Sequence, residues 1–165
     1  MIFVTIGSAV KGIEFTRLIK KMDDIAGKID EEVVMQIGTV PYEPQNAKYF
    51  RYASYQENLS YFQKASLIIG HGGVGTILNA LRFQKPIVIV PRQTQFGELS
   101  RDDHQVEIAQ RLAGNPLVEV VYDVDDLESS VKRMLEKSKE VGKGKTSPER
   151  ETLIKTLRDF VNPCP

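Results

Sequence analysis

The sequence predicts an α/β domain in which helices cover both faces of a Rossmann-like, doubly wound parallel sheet of about six strands. Short, near-continuous apolar runs alternate along the chain with segments of helical periodicity. Such runs are typical of parallel strands, because both faces of these strands are buried and helices connect them. A chain of 165 residues is the size of one domain of this kind.

The predicted elements follow one another in a regular order. The strands cover residues 2–6, 33–37, 49–53, 67–70, 86–91 and 117–121. The helices cover residues 15–25, 55–65, 76–81, 103–112 and 123–137. In the first helix Phe15, Leu18 and Met22 recur at helical spacing, and Asp123 is the predicted N-cap of the last. Several of the predicted strands end at glycine or proline. Doubly wound sheets bind ligands beyond these carboxyl ends of their strands.

The C-terminal region differs in composition from the domain of residues 1–137. Residues 138–147 are polar and include two glycines, which predicts a linker. A last helix then covers residues 148–165, with Pro148 at its first position and an apolar stripe that includes Leu153, Leu157 and Phe160. This helix either packs on its own sheet or contacts a partner.

Composition excludes several functional classes. The 22 basic and 22 acidic residues balance, so no overall field attracts nucleic acid or an anionic membrane. A single cysteine, Cys164, excludes an internal disulfide framework and is typical of the cytoplasm. We expect neither a signal peptide nor a membrane span, because no apolar run approaches the roughly 20 residues that a span needs.

Two polar segments point to one binding site. Residues 70–76, GHGGVGT, follow a strand and open a helix, so that backbone N–H groups and the positive end of a helix dipole face the edge of the sheet. This arrangement favours a phosphate group. Residues 103–105, Asp-His-Gln, begin a later helix and contain the second of the two histidines. We expect both histidines to lie in one site.

The glycine turn also satisfies G-x-G-x-x-G, the pattern of dinucleotide-binding folds. In those folds the pattern follows the first strand, and the next strand ends in an acidic residue that binds the ribose. Here it follows the fourth predicted strand, and the fifth ends at Pro91 and Arg92. An NADP-dependent oxidoreductase with Arg92 on the 2′-phosphate stays an alternative. No G-x-x-x-x-G-K-[ST] motif is present, which argues against ATPase chemistry.

The glycine turn, the segment KPIVIVP at residues 85–91 and the triplet at residues 103–105 together resemble the C-terminal domain of glycosyltransferase family 28. The resemblance covers most of residues 3–121. The chain resembles more closely the soluble donor-binding subunits of two-subunit UDP-sugar transferases, of the dolichol-pathway and bacterial exopolysaccharide types, than the single-chain members. The resemblance implies one half of a GT-B fold, with a separate chain as the other half.

The resemblance implies a UDP-sugar site. Backbone N–H groups of residues 73–76, the Thr76 hydroxyl and the helix dipole would bind the diphosphate without a metal or other cofactor, and residues 103–105 would bind the sugar. The implied donor-binding residues are Gly7, Ser8, Tyr55, His71, Gly72, Gly73, Gly75, Thr76, Asn79, Arg92, Glu98, Asp103, His104 and Gln105.

Several of these residues have structural alternatives. In these alternatives the glycines are required only by the turns, His71 is a buried histidine bonded to the backbone, and Tyr55 is an ordinary core residue. Asp103 is also a possible helix N-cap, and Arg92 a solvated loop residue. Asn79 occupies the position at which many family members have a glutamate that binds the ribose hydroxyls. A neutral amide binds a diol less strongly than a carboxylate does.

The resemblance further implies an inverting glycosyltransferase that adds a sugar to a lipid-linked glycan acceptor. The catalytic base would lie in a membrane-anchored acceptor-binding subunit, which recruits this cytoplasmic chain to the membrane; His71 is retained as a candidate in this chain. The sugar stays open between glucose, N-acetylglucosamine and glucuronic acid. A non-catalytic nucleotide-binding module is the alternative from another functional class.

Overall fold

A parallel six-stranded sheet forms the centre of the protein, in a computed structural model that describes residues 1–7, 14–98 and 104–141. The strands are β1 (Ile2–Thr5), β2 (Val33–Gln36), β3 (Lys48–Phe50), β4 (Leu67–Gly70), β5 (Ile87–Ile89) and β6 (Val118–Val120). Their order across the sheet is β3-β2-β1-β4-β5-β6, and all neighbours are parallel. This order confirms the predicted doubly wound fold.

The described part of the chain has five α-helices, four of which connect strands, while the fifth follows β6. They are α1 (Thr16–Ala26), α2 (Tyr55–Lys64), α3 (Val74–Arg82), α4 (His104–Leu112) and α5 (Leu127–Val141). Short 3-10 turns precede α4 and α5, and the Asp123 carboxylate accepts the Asp125 N–H in the second of them. Helix α5 extends four residues into the predicted linker. The rest of that linker and the predicted helix 148–165 lie outside the described residues.

The sheet separates two apolar cores because alternate strand residues point to opposite faces. Ile2 and Val4 of β1 pack with α1 and α5, whereas Phe3 packs with α2, α3 and α4. The residues of β1, β2, β4 and β5 are all buried, as the apolar runs in the sequence indicate, whereas those of the edge strands β3 and β6 are mostly exposed or half-buried. Burial on both faces fixes the ends of the strands, and these ends position the loops that follow.

The strand order reverses between β1 and β4. The chain moves from β1 outward to β2 and β3, and then returns to the other side of β1 to form β4. At such a reversal the connections after the two central strands run to opposite sides, which leaves a crevice beyond the carboxyl ends of the strands. The glycine turn at residues 70–76 lies at this crevice.

Candidate functional site

A cavity of about 480 Å³ opens at the carboxyl edge of the sheet. Its volume is within the range of small-molecule sites. Its walls come from the ends of β1 and β2, the segment after β3, helix α2 and the turn into α3. The lining residues are Thr5, Gly7, Gln36, Tyr52, Asn58, Phe62, His71, Gly75, Thr76 and Asn79. Five of them were predicted from the sequence, namely Gly7, His71, Gly75, Thr76 and Asn79.

Helix α3 begins at the cavity without a side chain that caps it. The Thr76 N–H donates to the Gly73 carbonyl at 3.0 Å, so this predicted phosphate donor is already used within the protein. Across the described residues, no group accepts the N–H of Val74 or of Gly75. These two unpaired N–H groups and the positive end of the helix dipole give this wall of the cavity a partial positive charge, which favours binding of an anion.

The ring of His71 lies between two glycines of the turns. A Cβ atom at Gly7 or at Gly73 would overlap the imidazole ring. Gly7 also has a φ of +67°, a conformation that favours glycine. Both glycines are therefore required by the packing of His71 as well as by the shape of the turns.

His71 is neutral at physiological pH. Burial lowers the pKa of its imidazole to about 3, and the positive charge of Arg92 lowers the pKa further. The Nδ1 atom is buried and has no hydrogen-bond partner within the described part of the chain. The imidazole also hydrogen-bonds the Thr5 backbone, which opposes the lowering of its pKa, so the alternative of a histidine bonded to the backbone holds in part. A neutral imidazole has one donor and one acceptor nitrogen, so one of the two stays available to a ligand.

A small polar network holds Gly7 in place. The Thr5 hydroxyl donates to Gln36 Oε1 at 2.5 Å and accepts the Gly7 N–H at 3.2 Å. The Gln36 amide nitrogen in turn donates to the Gly7 carbonyl at 3.1 Å. Thr5 and Gln36 were not among the residues predicted from the sequence. The available signal was that each is a polar residue at the end of an apolar strand.

Arg92 is an interior residue and does not line the cavity. Its guanidinium donates to the Ile6 carbonyl at 3.0 Å and lies over the Phe15 ring, 5.5 Å from the centroid. Burial lowers the pKa of Arg92, although the charge of Glu98 opposes this effect. The prediction of a solvated loop arginine is therefore wrong, and an arginine held in this way does not present itself to a 2′-phosphate.

Glu98 likewise points into the protein, with 4% of its side chain exposed. It accepts from Arg17 Nε at 2.7 Å and from the Gln93 N–H at 3.1 Å. Arg17 also donates to the Pro91 carbonyl at 2.9 Å. This ion pair attaches the segment after β5 to α1. Glu98 therefore does not line the cavity, although the resemblance implies that it binds the donor.

Gln105 is buried under the glycine turn. Its Oε1 accepts the Arg92 N–H at 3.1 Å, and a Cβ at Gly72 would lie 2.9 Å from the Gln105 Cβ. Gly72 is thus required by the packing of α4. His104, the first residue of α4, is exposed and does not line the cavity. The predicted residues Ser8 and Asp103 lie outside the described residues.

The aromatic residue at the cavity is Tyr52. Tyr52 and Tyr55 are almost equally exposed, at 64% and 63%, but only Tyr52 lines the cavity. Tyr55 is the first residue of α2, after the capping residue Ser54. It is therefore neither a core residue nor a wall of the cavity. Tyr52, Asn58 and Phe62 are lining residues that sequence analysis missed.

The described part of the chain comprises residues 1–7, 14–98 and 104–141. No helix in these ranges is long and apolar enough to cross a membrane. No group of three histidine, cysteine, aspartate or glutamate residues in them is arranged to hold a metal ion.

Comparison with known families gives one match over nearly the whole chain. The model described as "Glycosyltransferase family 28 C-terminal domain" matches residues 1–160. The chain is 39% identical over 70 residues to the UDP-N-acetylglucosamine transferase subunit ALG13 of Eremothecium gossypii, a match that covers 42% of this chain and 32% of that protein. The chain spans a third or less of the length of the curated ALG13 relatives it matches.

Solved structures share the fold. The glycotransferase of kitacinnamycin superimposes with a TM-score of 0.65 at 18% identity, over 95% of this chain and 39% of the other. The solution structure of ALG13 gives a TM-score of 0.54 at 18% identity, over 79% of this chain and 83% of the other. These likenesses confirm the fold expected for one half of a two-domain glycosyltransferase.

Proposed function

We propose that this chain, which belongs to the glycosyltransferase family 28 C-terminal domains, is the donor-binding subunit of an inverting, UDP-sugar-dependent glycosyltransferase. The observation that carries the proposal is the uncapped start of α3 at the cavity. A nucleoside diphosphate is the ligand that suits this site, because its negative charge meets unpaired N–H groups there.

The roles of the cavity residues follow from their positions. The N–H groups of Val74 and Gly75 bind the diphosphate, together with the Thr76 hydroxyl. Asn79, one turn further along α3, hydrogen-bonds the ribose. We expect the neutral imidazole of His71, which lines the cavity, to contact the bound UDP-sugar. No metal ion or other cofactor is part of this proposal.

In the proposed reaction the acceptor hydroxyl attacks the anomeric carbon from the face opposite to UDP. The bond between the anomeric carbon and the diphosphate oxygen breaks, and UDP leaves with the bonding electrons. The start of α3 stabilises the negative charge that develops on the departing diphosphate. This chain thus supplies stabilisation of the leaving group, and the base that takes the acceptor's proton lies in another chain.

The proposal includes a partner. ALG13, to which the chain is similar, is named a transferase subunit. We propose that a membrane-anchored acceptor-binding subunit completes the enzyme, holds the lipid-linked glycan and recruits this chain to the cytoplasmic face of the membrane. The isolated chain should then bind the donor but transfer little sugar. The predicted helix 148–165 is the proposed contact with this partner.

Thermal unfolding of the purified chain with about 10 mM of each nucleotide tests donor binding. A ligand with a Kd of about 1 mM stabilises the folded state by about 1.4 kcal/mol. For a domain of this size, that corresponds to a rise in Tm of about 3–6 °C. We expect UDP and one UDP-sugar to raise the Tm, and ADP and NADP to leave it unchanged. A rise with NADP alone would contradict the proposal and favour the oxidoreductase.

A transfer assay separates an enzyme subunit from a non-catalytic nucleotide-binding module. Both functions predict the same response to UDP. Only the enzyme subunit transfers sugar from a UDP-sugar to a lipid-linked acceptor when the acceptor-binding chain is added.

A further inference from the structure

We infer that the ring of Phe96 is a stacking platform for a pyranose ring of the glycan acceptor. The inference rests on the proposed function, since it gives this chain a contact with the second substrate of that reaction. It assigns a binding role to the turn after β5, which does not line the cavity. The ligand is a neutral sugar that presents its C–H face to the aromatic ring and its hydroxyl groups to the side chains around it.

Phe96 is an exposed aromatic residue in a fixed position. Its exposed fraction is 54%, whereas the other phenylalanines in the described part of the chain are buried or half-buried. The Arg17 guanidinium lies over the ring, 4.6 Å from its centroid, so the protein covers one face of the ring and leaves the other for a ligand. A single exposed apolar residue is common in proteins, but the orientation of this ring is held by a specific contact.

The turn that carries Phe96 is closed by hydrogen bonds between its ends. The Gln93 N–H donates to the Glu98 carboxylate at 3.1 Å, and the Phe96 N–H donates to the Gln93 carbonyl at 3.1 Å. Gly97, with a φ of +68°, ends the 3-10 turn directly after the ring. The ion pair between Glu98 and Arg17 attaches this turn to α1. The ring is therefore preorganised, and a ligand that stacks on it has little conformational entropy to remove.

The residues around the ring are neutral. Residues 93–97 have the sequence QTQFG, which carries no charge. The charge of Arg17 is paired with that of Glu98, whose side chain is buried. A phosphate or a charged peptide finds no unpaired opposite charge in this turn. A neutral ligand suits it better.

Two glutamine amides lie beside the ring. The Gln95 side-chain N–H donates to Gln93 Oε1 at 2.6 Å, and the Gln93 side-chain N–H donates to the Tyr122 carbonyl at 2.9 Å. An amide has two N–H hydrogens and two lone pairs, so these bonds leave capacity for further hydrogen bonds. Sugar hydroxyls both donate and accept, as amides do. An aromatic ring beside exposed amides therefore matches the apolar face and the polar edge of a pyranose.

The apolar part of this surface is small. Among the described residues at the ends of β5 and β6, the exposed large apolar side chains are Phe96 and Tyr122, and Tyr122 is 40% exposed. A stable protein interface buries about 800 Å² on each partner, around a core of several apolar residues. One sugar ring needs only one aromatic ring. The size of the patch thus favours a glycan over a protein partner.

The position of Phe96 suits the acceptor. The cavity lies at the ends of β1 and β2 and at the start of α3, which follows β4. In the proposed complex the diphosphate is at α3 and the nucleoside fills the cavity toward β2, so the sugar of the donor points toward β5. Phe96 follows β5, which is the next strand after β4, at a spacing of about 5 Å. A glycan that approaches the anomeric carbon from the face opposite to UDP can therefore lie over this turn.

An NMR titration of the isotopically labelled chain with simple glycosides, in the presence of saturating UDP, tests the inference. The probes are the methyl glycosides of glucose, galactose and N-acetylglucosamine at high millimolar concentration. We expect each to shift the amide resonances of Gln95 and Gly97. Phe96→Ala should reduce the shift per added glycoside about tenfold, since it removes the stacking ring. Phe96→Trp keeps an aromatic ring and should bind at least as well as wild type.

Tyr49→Leu is the matched control. Tyr49 is also exposed, at 39%, but it lies on β3 at the opposite edge of the sheet, so its ring should not affect glycoside binding. Phe96→Ala removes no buried group and should keep the wild-type affinity for UDP. That affinity shows that the variant is folded and that its donor site is intact.

Different outcomes reject different claims. If wild-type protein binds no uridine nucleotide, the proposed function fails and the inference fails with it. If it binds UDP, but no glycoside shifts Gln95 and Gly97 or Phe96→Ala binds the glycosides as wild type does, the inference alone is overturned. A loss of affinity for the UDP-sugar in Phe96→Ala, with glycoside binding unchanged, would place the donor sugar on the ring and would also overturn it. So would self-association in sedimentation velocity that Phe96→Ala abolishes and glycosides do not affect, because the ring would then be a contact between copies of the chain.

Discussion

The imidazole of His71 occupies the space that a side chain at residue 7 would need, so Gly7 and His71 form a complementary pair across the strand reversal. The pair joins the end of β1 to the turn after β4. Through it, the shape of the glycine turn depends on a residue that lies far away in the sequence. The consequences of this packing and of the charges around it can be measured.

Gly7→Ala should destabilise the protein more than Gly97→Ala. Gly7 and Gly97 have nearly equal φ values, +67° and +68°, so both alanines carry the backbone strain of about 1–2 kcal/mol. A Cβ at Gly97 meets no atom within 4 Å, whereas one at Gly7 overlaps His71. We expect an additional loss of about 1–3 kcal/mol at Gly7, measured by urea unfolding. Equal losses would show that the His71 contact is unimportant.

Gly75→Ala should stabilise the fold while it weakens donor binding. Gly75 lies in the first turn of α3, and a Cβ there meets no atom within 4 Å. Alanine favours the helix over glycine by about 0.5–1 kcal/mol. The added methyl group lies at the wall of the cavity, where it keeps a diphosphate from the N–H groups. A raised Tm together with unchanged affinity for UDP would place the diphosphate elsewhere.

Arg17→Met should be strongly destabilising. It leaves the buried Glu98 carboxylate without its cationic partner, at a cost of about 3–5 kcal/mol. The double variant Arg17→Met with Glu98→Gln removes both charges and should lose less than Arg17→Met alone. Lys132→Met, which breaks an exposed ion pair with Glu128, is the control and should have little effect in urea unfolding.

His71 should not titrate between pH 8 and pH 5. Its pKa is about 3 in the folded protein against 6.5 in the reference state, so the unfolded chain binds the extra proton first. Its contribution to stability is therefore complete above pH 6.5 and is lost as the pH falls toward 3. The chain has two histidines, and NMR of the ring protons follows both, with His104→Gln to assign them. A His71 signal that titrates near pH 6.5 would contradict its buried, neutral state.

The sequence was sufficient for the fold and for the position of the cavity at the edge of the sheet. Both follow from local patterns, namely apolar strands such as residues 67–70 and the glycine turn that begins a helix beside them. Gly75, Thr76 and Asn79 could be placed at the site because they lie within one short segment whose geometry the strand and helix determine.

Side-chain partners could not be predicted, since they depend on contacts between distant segments. Arg17 and Glu98 are 81 residues apart, and neither shows in the sequence that its charge is paired. Tyr52 and Tyr55 have the same chemistry, so only the actual start of α2 distinguishes the residue at the cavity from its neighbour. Arg92 is buried against the Ile6 carbonyl and the Phe15 ring. No local sequence pattern indicates these contacts.

The most direct test of the central claim is an NMR titration of the isotopically labelled chain with UDP. We expect the largest changes in backbone amide shifts at Val74, Gly75 and Thr76, with smaller changes at Gly7 and Asn58. Resonances of residues at the far end of α5, such as Glu136, should not move. Changes confined to surfaces away from the cavity would contradict the assignment of this edge of the sheet as the donor site.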